Sequence, residues 1–75
     1  MELDQLRLFA DLVRTGSFTK VAELNYITQP AVSSRIRKLE EELGTRLVER
    51  TTRKVIVTED GRIFYDYAKE ILRQI

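Results

Sequence analysis

Residues 28–44, TQPAVSSRIRKLEEELG, decide how the rest of the sequence is interpreted. Apolar residues recur there at the spacing of one helical face: Val32, Ile36, Leu39 and Leu43. Pro30 lies in the first turn, where backbone amides have no partner inside the helix and a proline loses no hydrogen bond. Thr28 is placed to cap this start, and Gly44 is placed to end the helix. The stretch therefore predicts a helix over about 29–43.

The N-terminal end of this helix is thin and polar. The face opposite the inward stripe comprises Pro30, Ser34, Arg37, Lys38 and Glu41. Gln29, Ala31 and Ser33 lie on its flanks. Small polar side chains let another molecule approach the backbone closely, and a helix N-terminus attracts phosphate. Two interpretations follow from this stretch by itself: a helix end built for a close partner, and an ordinary capped surface helix.

Two shorter helical patterns precede this helix. Residues 3–16, LDQLRLFADLVRTG, end at a glycine and carry one apolar face: Leu6, Phe9, Ala10 and Val13. Residues 17–26, SFTKVAELNY, begin with Ser17 as an N-cap and carry a second face: Phe18, Val21 and Ala22. We expect Asn25 to end this helix in the left-handed conformation, followed by an apolar corner at 26–27. Two helices joined by a tight corner predict a helix-turn-helix, whose second helix enters the major groove.

The next segment predicts two short strands joined by a basic loop. Apolar residues flank residues 49–54, ERTTRK, on both sides: Leu47 and Val48 before, and Val55, Ile56 and Val57 after. We expect Arg50, Arg53 and Lys54 on the protruding tip. A charged turn of this kind is ordinarily only solvated. Beside a helix-turn-helix, it instead predicts a wing that reaches the phosphate backbone and completes a winged helix.

The last segment predicts a helix with more apolar surface than its own domain covers. Thr58 is a good N-cap, and Glu59 and Asp60 follow in the favourable first turn. Its broad stripe comprises Phe64, Tyr67, Ala68, Ile71 and Ile75, with Ile63 and Leu72 on the margin. A terminal core helix is one interpretation. We prefer a helix that pairs with its copy in a second molecule.

Composition excludes several kinds of site. Seventy-five residues make one small domain. The absence of Cys and His excludes disulfides, thiolate or imidazole metal sites, Cys nucleophiles and His-based triads. No apolar run approaches a membrane span, and the opening MELD is unlike a signal peptide, so we expect an intracellular protein. The net charge of +1 says less about partners than the position of the charges does.

Three stretches together resemble the N-terminal DNA-binding domain of LysR-type transcriptional regulators: LRLFADLVRTGSFTKVAEL, TQPAVSSRIRKLEEELGTRLVER and RKVIVTEDG. The most specific part is Q-P-A-V-S followed by I-x-x-L-E-x-E-L-G, and the resemblance extends from Leu3 to about Ile75. It implies a mainly α fold, a winged helix-turn-helix of three helices plus a two-stranded wing over residues 1–58. A long C-terminal linker and dimerisation helix then begins in residues 59–75.

The resemblance also implies a function in transcription regulation. We expect sequence-specific binding of double-stranded DNA at an inverted-repeat operator, with helix 29–43 in the major groove and wing 50–54 against the backbone or minor groove. A homodimer through the C-terminal helix and a cytoplasmic, nucleoid-associated location are implied as well. An effector-binding domain is expected outside this sequence, because family members are roughly four times its length. No enzyme activity, cofactor, metal or membrane contact is expected of this domain.

Together with the residue patterns above, the resemblance implies three sets of site residues. The base-contacting set is Gln29, Pro30, Ala31, Ser33, Ser34 and Arg37. The backbone and wing set is Ser17, Thr19, Lys20, Thr28, Lys38, Arg50, Arg53 and Lys54. The dimerisation set is Phe64, Tyr67, Ala68, Ile71, Leu72 and Ile75. The sequence departs from the family pattern at Asn25, Val48 and Asp60, where the family often has leucine, an aromatic residue and alanine.

Two other classes of function remain open at this point. A winged helix used as a protein–protein module needs an apolar or acidic outer face on its third helix, which Arg35, Arg37 and Lys38 argue against. An enzyme without His or Cys needs paired carboxylates in a cleft. The acidic residues here, including the glutamates at 40–42, are instead expected on solvated helical faces.

Overall fold

The computed structural model describes residues 1–51 and 54–75. Four helices and a two-stranded antiparallel hairpin follow one another along them: α1 (Leu3–Thr15), α2 (Phe18–Asn25), α3 (Gln29–Leu43), β1 (Val48–Arg50), β2 (Val55–Val57) and α4 (Glu59–Arg73). α1 packs against the other three helices, and α4 also contacts β2. No helix in these two ranges combines the length and apolar character needed to cross a membrane. The predicted winged helix-turn-helix with a following C-terminal helix is confirmed.

α1 buries a wider face than its spacing predicts. The predicted stripe is buried or half-buried: Leu6, Phe9, Ala10 and Val13. Leu8 and Leu12 are buried as well, because three helices pack around α1. Gly16 ends the helix as predicted, with φ 67° in the left-handed region that glycine adopts without a steric penalty.

The turn between α2 and α3 differs from the prediction at one residue. Asn25 is the last residue of α2, and Tyr26 adopts the left-handed conformation instead, with φ 56°. The Asn25 side chain explains the difference, because it donates to the Val21 carbonyl at 2.8 Å and to the Asp11 carboxylate at 3.3 Å. The predicted apolar corner is divided: Tyr26 is 95% exposed, whereas Ile27 packs against the core.

α3 has the predicted bounds and the predicted inward face. Val32, Ile36 and Leu39 are fully buried, and Leu43 packs against the same core. Gly44 follows the helix in the left-handed conformation, with φ 72°. α3 therefore packs one face on the core and leaves the opposite face exposed.

The hairpin is short and is tied to α3 by a buried carboxylate. Val48 pairs with Val57 in the antiparallel register, and Leu47 precedes the strand as a fully buried core residue. Glu40, expected on a solvated face, is instead only 7% exposed. Its Oε2 accepts hydrogen bonds from the Leu47 amide at 2.8 Å and the Val48 amide at 3.2 Å. The chain that enters β1 passes beside α3, so these buried amides need an acceptor from that helix.

α4 packs on α1, which divides the predicted dimer stripe. Ala68 is fully buried, and Phe64 is half-buried against Phe9 with ring centroids 5.6 Å apart. The assignment of Ala68 to a dimer surface is therefore corrected, because it lies fully inside the core of its own chain. Phe64 packs against that core only in part, so its dimer role stays a prediction. Tyr65, which the predicted stripe omitted, also packs against Phe9, at 6.4 Å between ring centroids.

The other half of the α4 pattern remains on the surface. We call it the exposed α4 stripe: Ile63, Tyr67, Ile71 and Ile75, which are 53%, 65%, 42% and 69% exposed. Leu72 is half-buried between the two halves. Ile63, which was predicted on the margin of the pattern, therefore belongs to its exposed part.

Candidate nucleic-acid interface

The starts of α2 and α3 and the hairpin border one open cleft of about 680 Å³. Its walls are formed by Gly16, Ser17, Phe18, Thr19, Gln29, Pro30, Ser33, Arg50, Thr51, Lys54 and Val55. Most of its polar residues belong to the predicted DNA-contacting sets, and they come from three separate parts of the sequence. The fold therefore assembles these residues on one concave surface, which we call the recognition cleft.

Both helices that border the recognition cleft begin with a capping hydroxyl. The Ser17 Oγ accepts a hydrogen bond from the Lys20 amide at 3.1 Å, and the Thr28 Oγ1 accepts one from the Ala31 amide at 3.2 Å. Other amides of each first turn have no partner inside the helix. Two helix N-termini with partial positive charge thus border the same opening, an arrangement suited to a phosphate-bearing partner.

Gln29, in the first turn of α3, is oriented by α2. Its Nε2 donates a hydrogen bond to the Thr19 Oγ1 at 2.6 Å on the exposed surface. An amide carries a second N–H and a carbonyl oxygen, which this contact does not use. That remaining donor and acceptor match the adjacent acceptor and donor on the major-groove edge of adenine.

Arg50 lies beside α3 and not on the tip of the hairpin. Its Nη1 donates to the Ser33 Oγ at 2.7 Å, and its guanidinium carbon lies 4.5 Å from the centre of the Phe18 ring. Partial burial lowers the pKa of the Arg50 guanidinium, and the nearby positive charge of Arg37 lowers it further. The predicted tip position is therefore corrected: Arg50 ends β1 close enough to α3 for a direct hydrogen bond.

Residues 3–62 match the family model for bacterial regulatory helix-turn-helix proteins of the lysR family. The chain belongs to the lysR family. It is 50% identical over 70 residues to a probable RuBisCO transcriptional regulator of Cyanidioschyzon merolae, across 93% of this chain and 23% of that protein. The chain spans about a quarter of the length of the curated relatives it matches. Those relatives are named as regulators and not as enzymes.

Two solved structures resemble this lysR-family chain closely. One is the DNA-binding domain of BenM, a regulator of Acinetobacter baylyi, in complex with catB site 1 DNA. It has a TM-score of 0.93 and 47% identity over 99% of this chain and 83% of that one. The other is the CbnR DNA-binding domain in complex with DNA, with a TM-score of 0.95 and 31% identity over 99% of this chain and 85% of that one.

The three departures from the family pattern are each accommodated in this lysR-family domain. Asn25 makes the side-chain hydrogen bonds that keep it helical. Val48 is 1% exposed, so a smaller residue than an aromatic ring still contributes to the core. Asp60 accepts a hydrogen bond from the Thr45 Oγ1 at 2.6 Å. None of these three residues lines the recognition cleft.

Several predicted contact residues lie outside the recognition cleft. Lys20, Thr28 and Ser34 are exposed near it, as is Lys38 farther along α3, and Ala31 is half-buried. Arg37 borders a neighbouring depression of about 430 Å³ that also contains Arg50. Arg53 is outside the described residues.

Arg35 does not share the outer face of Arg37. Its guanidinium pairs with the Asp4 carboxylate of α1 at 3.0 Å. This ion pair directs one of the three cations of α3 towards α1, so Arg37 and Lys38 remain as the cations of the exposed face.

Sequence reasoning missed three residues that shape the interface. Glu40 follows Ile36 by four residues, so its spacing already placed it beside the inward stripe. Phe18 was predicted as a core residue, but its ring also supports Arg50. Gly61 is buried in α4, where an added Cβ would overlap the carbonyl oxygen of Leu47. No local pattern identifies the last two contacts, because both join parts of the chain that are far apart in sequence.

Proposed function

We propose that this lysR-family domain binds double-stranded DNA sequence-specifically, with α3 in the major groove and the hairpin against the backbone or minor groove. The observation that carries the proposal is the recognition cleft, where two capped helix N-termini, hydrogen-bonding side chains and basic residues converge. The likeness to the BenM and CbnR domains, both solved with DNA, supports this mode. In such folds the recognition helix enters the groove with its N-terminal residues against base edges.

The exposed part of α3 supplies the base contacts in this proposal. Gln29 has the donor and acceptor for an adenine edge, and Ser33 can pair with either kind of edge. Arg37 matches guanine or a phosphate, and Pro30 and Ala31 suit a thymine methyl group. Ser34, which is exposed on the same helix, completes the set.

Backbone contacts position the domain on the duplex and carry no sequence information. We assign them to hydroxyl and cationic side chains around the recognition cleft: Ser17, Thr19, Lys20, Thr28, Lys38 and Lys54. Arg53 joins this set on sequence grounds. Each cation that neutralises a phosphate releases a counterion, so affinity should fall steeply as salt rises.

A second copy of the chain completes the reading surface. We propose that the exposed α4 stripe pairs with its copy, and that residues 59–75 begin a linker helix towards an effector-binding domain in the rest of the protein. The side chains of Tyr67, Ile71 and Ile75 expose apolar surface that their own chain leaves uncovered. A two-fold axis requires an inverted-repeat operator with half-sites spaced by about one helical turn or a multiple of it.

Selection from a library of random duplexes tests the proposal. The wild-type domain should enrich one motif, and its affinity for that duplex should fall with salt at a log–log slope of about −0.9 per phosphate contact. Arg73→Ala is a control for the loss of a positive charge outside the recognition cleft, because Arg73 pairs with Glu70 at 3.0 Å near the far end of α4. Its slope should equal that of the wild type. A domain that enriches no motif would refute sequence-specific binding, and one whose weak DNA binding is also insensitive to salt would favour a protein–protein module.

A further inference from the structure

We infer that Arg50 is a positioning residue for sequence readout. The hairpin and the Phe18 ring hold its guanidinium, and the guanidinium in turn holds the Ser33 hydroxyl in one orientation. This inference rests on the proposed DNA-binding function and assigns Arg50 a role other than that of a phosphate clamp. Ser33 is the base-contacting residue of the pair, and Arg50 acts through it.

The hydrogen-bond chemistry of this pair has a fixed direction. A guanidinium has only donors, so the Ser33 Oγ accepts at 2.7 Å and its own proton must point elsewhere. Both residues line the recognition cleft, so the hydroxyl proton is free to point into it. Ser33 then donates to an acceptor on a base edge, such as a purine N7, a guanine O6 or a thymine O4. Without Arg50, the same hydroxyl rotates freely and loses this preference.

Three contacts hold Arg50 in place: the backbone pairing of β1, the Phe18 ring and the hydrogen bond from Nη1 to the Ser33 Oγ at 2.7 Å. Arg50 ends β1, whose pairing with Val55 fixes its backbone. The ring of Phe18 lies against the guanidinium, with the carbon 4.5 Å from the ring centre, a favourable cation–π geometry. Elements from α2, α3 and the hairpin thus meet at one side chain.

Lysine distinguishes this role from a simple charge contact. It keeps the positive charge but lacks the planar group that stacks on a ring while donating in a fixed direction. A phosphate clamp tolerates Arg50→Lys with its sequence preference intact, because phosphate contacts carry no sequence information. If Arg50 positions Ser33, Arg50→Lys instead weakens sequence discrimination at the base pair that Ser33 contacts.

The experiment uses single-base-pair variants of the duplex that the wild-type domain selects. Ser33→Ala and Gln29→Ala first identify the base pair that each side chain contacts. Arg50→Lys should then reduce discrimination about fivefold at the Ser33 base pair, the value of one net hydrogen bond, and leave the Gln29 base pair unchanged. The double variant Arg50→Lys/Ser33→Ala should discriminate no worse there than Ser33→Ala. Arg46→Lys, at a neighbouring exposed arginine, is the control and should discriminate like the wild type.

Two results would overturn the inference alone. Unchanged discrimination in Arg50→Lys would make Arg50 a phosphate contact. An equal loss at every base pair, with a lowered melting temperature, would make its role one of general packing. Failure of the wild-type domain to select any motif would overturn the proposed function itself, and this inference with it.

Discussion

The Glu40 carboxylate accepts a hydrogen bond from the Leu47 amide at 2.8 Å, which joins α3 directly to the start of the hairpin. The same Oε2 accepts from the next amide, so one side chain satisfies two backbone donors in the core. The relative position of recognition helix and wing therefore depends on this carboxylate.

Glu40→Ala should destabilise the domain by about 2–4 kcal/mol, because two buried amides lose their acceptor. Chemical denaturation monitored by circular dichroism measures this free energy. Glu41→Ala is the matched control, since that neighbouring glutamate is exposed, and should change stability by no more than about 0.5 kcal/mol. Equal effects of the two substitutions would show that the carboxylate does not support the hairpin.

Gly61→Ala should destabilise the domain by about 2–3 kcal/mol, because the added methyl group meets the Leu47 carbonyl and the backbone must shift. Gly16→Ala provides the comparison. Its Cβ would meet open space, so only the left-handed conformation at φ 67° opposes it, at about 1 kcal/mol. Thermal unfolding ranks the two variants, and a larger loss for Gly16→Ala would contradict the close approach of α4 to the hairpin.

Gln29→Ala and Ser33→Ala should each weaken binding to the selected duplex by roughly 1–3 kcal/mol while hardly changing binding to random DNA. The reason is that base-edge contacts exist only on the correct sequence. Fluorescence anisotropy with both duplexes measures the difference, and Gln74→Ala serves as an amide control at the exposed end of the chain. Equal losses on both duplexes would refute base readout by these side chains.

Lys54→Ala should weaken binding to all sequences and make the salt slope shallower by about 0.9, because one phosphate contact is lost. The ratio of specific to random affinity should remain nearly constant. We expect the same of Arg53→Ala on sequence grounds. Lys69→Ala removes an equal charge from α4, where Lys69 lies 4.8 Å from the Tyr65 ring centre, and should retain the wild-type slope. A Lys54→Ala slope equal to that of the wild type would place this residue away from phosphate.

Ile71→Asp should leave the domain folded but abolish dimers, because a charge then lies within the exposed α4 stripe. Affinity for the inverted repeat should fall far more than affinity for a single half-site. Sedimentation measures the assembly, and Arg62→Asp, an exposed position nine residues earlier in α4, is the control that should retain dimers. A dimeric Ile71→Asp that still prefers the inverted repeat would locate the interface elsewhere.

The sequence by itself determined the helices, the N-caps of three of them and the glycine ends of two. Helical spacing predicted the buried face of α3, and Ser17, Thr28 and Thr58 were identified as the caps they are. Gly16 and Gly44 were likewise identified as helix ends. These features are predictable because each depends on residues within about one helical turn, where periodicity and the unpaired terminal amides dominate.

Only the tertiary structure decided which of the residues predicted on the surface contact another part of the chain. Glu40 was predicted on a solvated face, but it is a buried hydrogen-bond acceptor because the hairpin passes beside it. Arg50 was predicted at the tip of the wing, but it donates a hydrogen bond to Ser33. Ala68 was predicted on the dimer surface, but it lies in the core. Arg50 and Ser33 are 17 residues apart, and α1 and α4 lie near opposite ends of the described chain, so these two outcomes are set by how the elements pack and not by local periodicity.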